Sequence, residues 1–255
     1  MRDNAFMRNE RMKRILLVLL VVVNVGVIGC RAYIGDYYHA DAAALSAAKQ
    51  GESANGVTVS QTNANVMVFE PADGESTVGV AFYPGAKVEW TAYAPLMQQL
   101  AERGITAVLL KMPYNLAIVD ADAANLAYDA APNVQNWYVC GHSMGGVAAG
   151  MYASGNADSL AGIIFLASYA TDDLSQSRLA GLSIYGSEDE VINRTAMEDN
   201  ARNLPAGTQT YAIEGGNHGH FGSYGEQAND GVATITPEQQ QSEAADIITA
   251  FVLGA

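Results

Sequence analysis

Two short runs, Ala107-Val-Leu-Leu110 and Gly162-Ile-Ile-Phe-Leu-Ala167, are apolar at every position, odd and even alike. A strand shows alternate side chains to opposite faces, so such runs belong to strands covered on both sides, as in a parallel sheet flanked by helices. Similar β-rich runs recur along the chain: Val57–Ser60, Val66–Phe69, Val78–Tyr83, Thr106–Leu110, Trp137–Cys140, Gly162–Ala167, Leu182–Tyr185 and Thr208–Ile213. Helical patterns separate the later ones, over Ala92–Arg103, Ile118–Ala130, Met144–Ser154, Arg194–Asn203 and Pro237–Phe251. The alternation predicts an α/β domain: a mostly parallel sheet of about eight strands, opened by a hairpin, continued by crossovers and flanked by helices. Ala170 leads through Thr171–Arg178 to the next strand, at Leu182, too little chain for a cap domain, so an open cleft is expected.

At 255 residues there is room for one such domain with a full core. The N-terminus reads differently. Arg8, Arg11, Lys13 and Arg14 precede a 16-residue apolar run, Ile15–Cys30, closed by Arg31. That is short of the ~20 residues a helix needs to span hydrocarbon, but flanking arginines can snorkel. Basic residues ahead of the run place the remainder outside the cytoplasmic face. Two readings stay open: an uncleaved signal anchor, which is preferred, and a cleaved secretory signal whose Val27-Ile-Gly-Cys30 resembles a lipobox with Cys30 lipidated. Residues 1–31 are thus taken as basic stretch and membrane segment, 32–56 as a linker helix, centred on Ala40–Ala48 and ending at the Gly51–Gly56 turn signals, and 57–255 as the α/β domain.

Six of the 13 basic residues lie in the first 31 positions, with two acids, leaving 7 basic against 25 acidic residues, a balance of −18. So acidic a surface repels phosphate backbones and disfavours nucleic acid as a partner. Two cysteines, Cys30 and Cys140, make no disulfide framework.

The strongest motif is Gly141-His-Ser-Met-Gly145, which follows the strand Trp137–Cys140 and opens the helical pattern at Met144. A nucleophile elbow needs this context of strand, sharp turn and helix, with glycines where the two elements crowd a strained serine. Ser143 is therefore the candidate nucleophile, at a helix N-terminus whose dipole favours developing negative charge. Cys140 and His142 read as packing and elbow residues. After the last strand comes Glu214-Gly-Gly-Asn-His218-Gly-His220, whose glycines let a loop carry an imidazole over the sheet edge. His218 is the candidate base, His220 the second choice. After the preceding strand, Gly186-Ser-Glu-Asp189 puts Asp189 where a carboxylate can accept the histidine Nδ1–H; its neighbours Glu188 and Glu190 read as solvated. The order Ser143, Asp189, His218 is that of the elbow-type serine hydrolases. An oxyanion hole requires two backbone donors: Met144 N–H, and Gly85 or Ala86 from Pro84-Gly85-Ala86-Lys87 after Val78–Tyr83. Tyr83, Tyr169 and Tyr224, with Met144, are expected to line the cleft. No metal-ligand spacing, phosphate loop or nicotinamide fingerprint is present, so no cofactor and no metal is expected.

Asp36-Tyr-Tyr-His-Ala40, Phe82-Tyr-Pro-Gly-Ala-Lys-Val88, the Gly141–Gly145 elbow and Gly215-Gly-Asn-His-Gly-His-Phe-Gly-Ser-Tyr-Gly225 together resemble bacterial α/β-hydrolases of the α/β-hydrolase-5 or dienelactone-hydrolase-like type. The resemblance runs through nearly the whole chain. It implies the α/β-hydrolase fold, an N-terminal membrane segment and a Ser-Asp-His triad. Dienelactone hydrolases proper use cysteine; Ser143 departs from that, and dienelactone cleavage is not carried over. The expected activity is hydrolysis of small-molecule or cell-envelope esters through an acyl-enzyme. A non-catalytic surface binding protein and an acyltransferase are the alternatives.

Overall fold

The computed structural model describes residues 20, 29, 31, 33–52, 55–71, 73, 74 and 76–254. It divides into two compact units, Met1–Tyr37 and Tyr38–Ala255. Of the apolar run 15–30, only Leu20 and Gly29 fall within the described residues, so the expected membrane segment lies outside them. Among the described residues no helix is long and apolar enough to cross a membrane.

The second unit is a nine-stranded sheet. Eight strands have five to seven residues: β2 (Val57–Asn63), β3 (Val66–Pro71), β4 (Val78–Tyr83), β5 (Thr106–Leu110), β6 (Asn136–His142), β7 (Gly162–Leu166), β8 (Ala180–Gly186) and β9 (Gln209–Ile213). A two-residue edge strand, β1 (Gly51–Glu52), is added where the sequence suggested only a turn; it pairs with Thr58 and Val59 of β2. The order is β1-β2-β3-β5-β4-β6-β7-β8-β9, antiparallel as far as β5 and parallel from β5 to β9.

The strands apolar on both parities follow from two cores, one on each face. Ala107 and Leu109 of β5, Ile164 and Leu166 of β7, and Val80 and Phe82 of β4 belong to one. Val108 and Leu110, Ile163 and Phe165, and Ala81 and Tyr83 belong to the other. The first is closed by α2 (Ala94–Glu102) and α6 (Pro237–Leu253), the second by α3 (Asn125–Ala130) and α4 (Met144–Asn156). The short α1 (Ala42–Ala47) precedes the sheet with Ala44 wholly buried, and α5 (Arg194–Asn200) lies between β8 and β9. Helix α6 carries its own start and stop signals. Thr236 and Gln239 form a capping box, Pro237 follows, and Gly254 ends the helix at φ 70°. The β7–β8 connection, 167–179, contains no helix and no cap domain, as its length required.

The single helix expected over Ile118–Ala130 is instead two 3₁₀ turns, Ala117–Val119 and Ala121–Ala124, followed by α3. Asp120 leaves helical geometry at φ −144° and ψ 71°. The Tyr83 hydroxyl then enters the ladder, donating to Ala121 O and accepting from Ala124 N–H. Likewise α2 is preceded by a 3₁₀ turn at Trp90–Tyr93, and α5 is followed by one at Ala201–Asn203.

Candidate active site

Ser143 sits between β6 and α4 at φ 52° and ψ −124°, a strained conformation for a residue with a Cβ. Such strain costs about 1–3 kcal/mol and persists only where the surroundings impose it. Here they do. A Cβ on Gly141 would strike the Gly145 backbone, and one on Gly145 would strike the Tyr83 carbonyl, so the elbow closes only with glycine at both places. Ser143 N–H donates to Leu166 O at 2.9 Å, and Ser168 Oγ donates to Ser143 O at 2.6 Å. Sequence reasoning missed Ser168, a serine in a connecting loop with no local pattern to mark it.

His218 Nδ1 and Asp189 Oδ2 are 2.9 Å apart, with 2% and 0% of their side chains exposed. A carboxylate only accepts, so Nδ1 carries the proton and Nε2 is left as the basic nitrogen. The other Asp189 oxygen accepts from Val191 N–H at 2.9 Å and Ile192 N–H at 2.8 Å. The histidine loop is held as firmly. Buried Gln240 of α6 accepts Asn217 N–H at 2.9 Å and donates to Asn217 O at 2.8 Å. Asp230 accepts from His218 N–H at 3.2 Å and Gly219 N–H at 2.7 Å.

Ser143, Met144, Tyr169 and His218 line one cleft of about 400 Å³ with Ile118, Val147 and Ile192. Its walls are largely apolar. No direct hydrogen bond joins Ser143 to His218 among the described residues, a common state of a nucleophile and base awaiting substrate. His220 lies elsewhere, beside Asn217, Glu226 and Asp230, with its Nδ1 buried and without a hydrogen bond among the described residues. The Cys140 thiol is fully buried, and burial pushes its pKa up, away from the nucleophilic thiolate. A larger depression of about 760 Å³, lined by Lys49, Gln98 and Glu102, holds neither serine nor histidine of this set.

The residues matched by the model of the "Alpha/beta hydrolase family" are 79–242, well over half the chain. The chain belongs to that family. No curated protein matches it. Among solved structures this alpha/beta hydrolase is similar to a CIB-like hydrolase from Thermoplasma acidophilum, at a TM-score of 0.57 and 17% identity over 76% of this chain and 99% of that one. It is also similar to Est1E from Butyrivibrio proteoclasticus, at 0.54 and 12% over 78% and 100%. Identities so low speak for the fold alone.

Two of the three tyrosines expected in the cleft of the alpha/beta hydrolase are not there. Tyr83 is 0% exposed and packs in the α3–α4 core, with its hydroxyl taken up by Ala121 O and Ala124 N–H. Tyr224 is 6% exposed, donates to Gln227 Oε1 at 3.0 Å, and packs against the rings of Tyr38 and Tyr93. Tyr169 is the one that lines it. Tyr83→Phe is therefore expected to lower stability by about 1–3 kcal/mol, by orphaning Ala121 O and Ala124 N–H, with KM for esters unchanged. Urea unfolding and steady-state kinetics check this; a raised KM without loss of stability would restore Tyr83 to the cleft.

Of the two expected second oxyanion donors, Gly85 N–H is already committed, donating to Tyr93 Oη at 3.0 Å. Ala86 N–H and Met144 N–H donate to no partner among the described residues. Neither Gly85 nor Ala86 lines the cleft itself, although their loop abuts the elbow at Tyr83 O and Pro84 O.

Proposed function

We propose that the protein is a serine hydrolase of carboxylic esters or related acyl substrates. One observation carries the reading: a buried Asp189–His218 pair opens onto the same cleft as a serine held in strained elbow geometry. His218 Nε2 takes the proton of Ser143 Oγ as the oxygen attacks the carbonyl carbon. The tetrahedral oxyanion rests on the Met144 and Ala86 amides. Its collapse breaks the ester C–O bond, and His218 returns the proton to the leaving alkoxide. Water, deprotonated by the same nitrogen, then attacks the acyl-enzyme and regenerates Ser143. Asp189 fixes the tautomer and stabilises the imidazolium. The uncapped, mostly apolar cleft suits small or surface-presented esters, including those of the cell envelope. Labelling of Ser143 by a fluorophosphonate, with hydrolysis of p-nitrophenyl acetate, tests the reading; a protein that neither labels nor hydrolyses any of a panel of short esters and lactones sinks it.

The basic, apolar N-terminus supports tethering of this domain to a membrane, with the catalytic unit on the extracytoplasmic side. Protease added to intact cells is then expected to degrade the hydrolase domain; full protection in intact cells, with loss only after lysis, would reverse the topology.

A further inference from the structure

His142, inside the elbow motif, is 1% exposed, and its two ring nitrogens are both engaged. Nε2 lies 3.0 Å from the backbone carbonyl of His218, and Nδ1 lies 2.8 Å from Tyr93 Oη. A carbonyl can only accept, so the proton is on Nε2. Nδ1 of the neutral ring is then an acceptor and takes the Tyr93 hydroxyl proton. Tyr93 Oη in turn accepts Gly85 N–H at 3.0 Å. Every donor and acceptor in this run is assigned by its neighbours, with no alternative orientation. The run passes from the loop after β4, through the end of β6, to the base-bearing loop after β9. Those three segments are 49 and 76 residues apart in sequence at their two side-chain contacts.

The loop after β4 is shaped around this bridge. A Cβ on Gly85 would fall 2.8 Å from Tyr93 Oη and 2.9 Å from His142 Nδ1, so only glycine lets the backbone reach the tyrosine. Tyr93 itself is wholly buried. Its use of Gly85 N–H leaves the next amide, that of Ala86, for the developing oxyanion.

From this geometry we propose that His142 is a positioning residue, which with Tyr93 locks the oxyanion loop and the base loop into mutual register. The proposal rests on the serine-hydrolase reading above. The ring centroids of His142 and His218 are 4.6 Å apart, so two positive charges there would repel strongly. Burial, together with the nearby His218, holds the His142 pKa well below its ordinary value. The neighbour is thus uncharged when His218 receives the serine proton. The bridge supplies rigidity without opposing the imidazolium.

Three variants and one spectrum test this. His142→Leu removes both bonds and is expected to lower kcat for p-nitrophenyl acetate by about 30-fold, with KM within about 2-fold, since sub-ångström misplacement acts on turnover. His142→Gln, whose amide offers an NH₂ group to donate and a carbonyl to accept, is expected to recover kcat to within about 3-fold of wild type. Tyr93→Phe frees Gly85 and is expected to lower kcat by about 10-fold. A folded His142→Leu protein with wild-type kcat, or a His142→Gln protein no better than His142→Leu, overturns the proposal. Imidazole ¹⁵N spectra of the wild type at neutral pH are expected to show the Nε2–H tautomer for His142; an Nδ1–H tautomer rejects the bridge whether or not any ester is turned over. Absence of fluorophosphonate labelling with the Nε2–H tautomer present would instead fault the hydrolase reading.

Discussion

Ser143→Ala is expected to abolish fluorophosphonate labelling and to lower ester turnover by a factor on the order of 10⁵, leaving the residual rate that oxyanion donors and binding supply alone. The change deletes one oxygen and creates no cavity, since the side chain is only partly buried at the mouth of the cleft. The fold should therefore survive, with an unfolding midpoint near that of the wild type. Ser143→Gly is expected to be more stable than either, by about 1 kcal/mol, because glycine adopts φ 52° without strain. Lost activity with unchanged or raised stability is the signature of a residue kept for chemistry. Full p-nitrophenyl ester turnover by Ser143→Ala would remove Ser143 from the mechanism.

Asp189→Asn should lower kcat by about 10⁴. The orientation of the introduced amide is dictated by what surrounds it. The amides of Val191 and Ile192 both donate to one oxygen, so the asparagine must turn its carbonyl toward them and its NH₂ toward His218. Facing a donor, His218 Nδ1 loses its proton and Nε2 acquires it. The nitrogen that should take the serine proton is then already protonated. KM should change little, because Asp189 lies behind the histidine and does not line the cleft. Measuring kcat alongside the urea midpoint separates this from unfolding; a variant within 10-fold of wild type would mean that Asp189 does not set the tautomer.

The elbow was legible in the sequence because its requirements are local. Strand, two glycines and helix lie within about twenty residues, and the steric conflict that demands Gly141 arises between neighbours in the chain, whereas the one at Gly145 comes from the distant Tyr83 carbonyl. The strands were legible for a related reason: burial on both faces leaves no polar position, as at Val108 and Leu109, which go to opposite cores. Asp189 and His218 could be placed by order and by turn glycines, each at the end of a strand. The helix expected over Ile118–Ala130 failed because its competitor, the Tyr83 hydroxyl, comes from 38 and 41 residues away.

The sequence by itself determined the order of elements, the elbow and the three segments from which nucleophile, acid and base would come, since these follow from side-chain periodicity and local backbone sterics. Only the tertiary structure decided which tyrosine meets the cleft, that Gly85 spends its amide on Tyr93, and that His142 bridges two distant loops. Those outcomes depend on which core each side chain packs into once the open sheet is assembled and on hydrogen-bond partners supplied from far along the chain. A hydrogen bond exhausts a donor whatever the sequence separation, and no local pattern records which donor has been used.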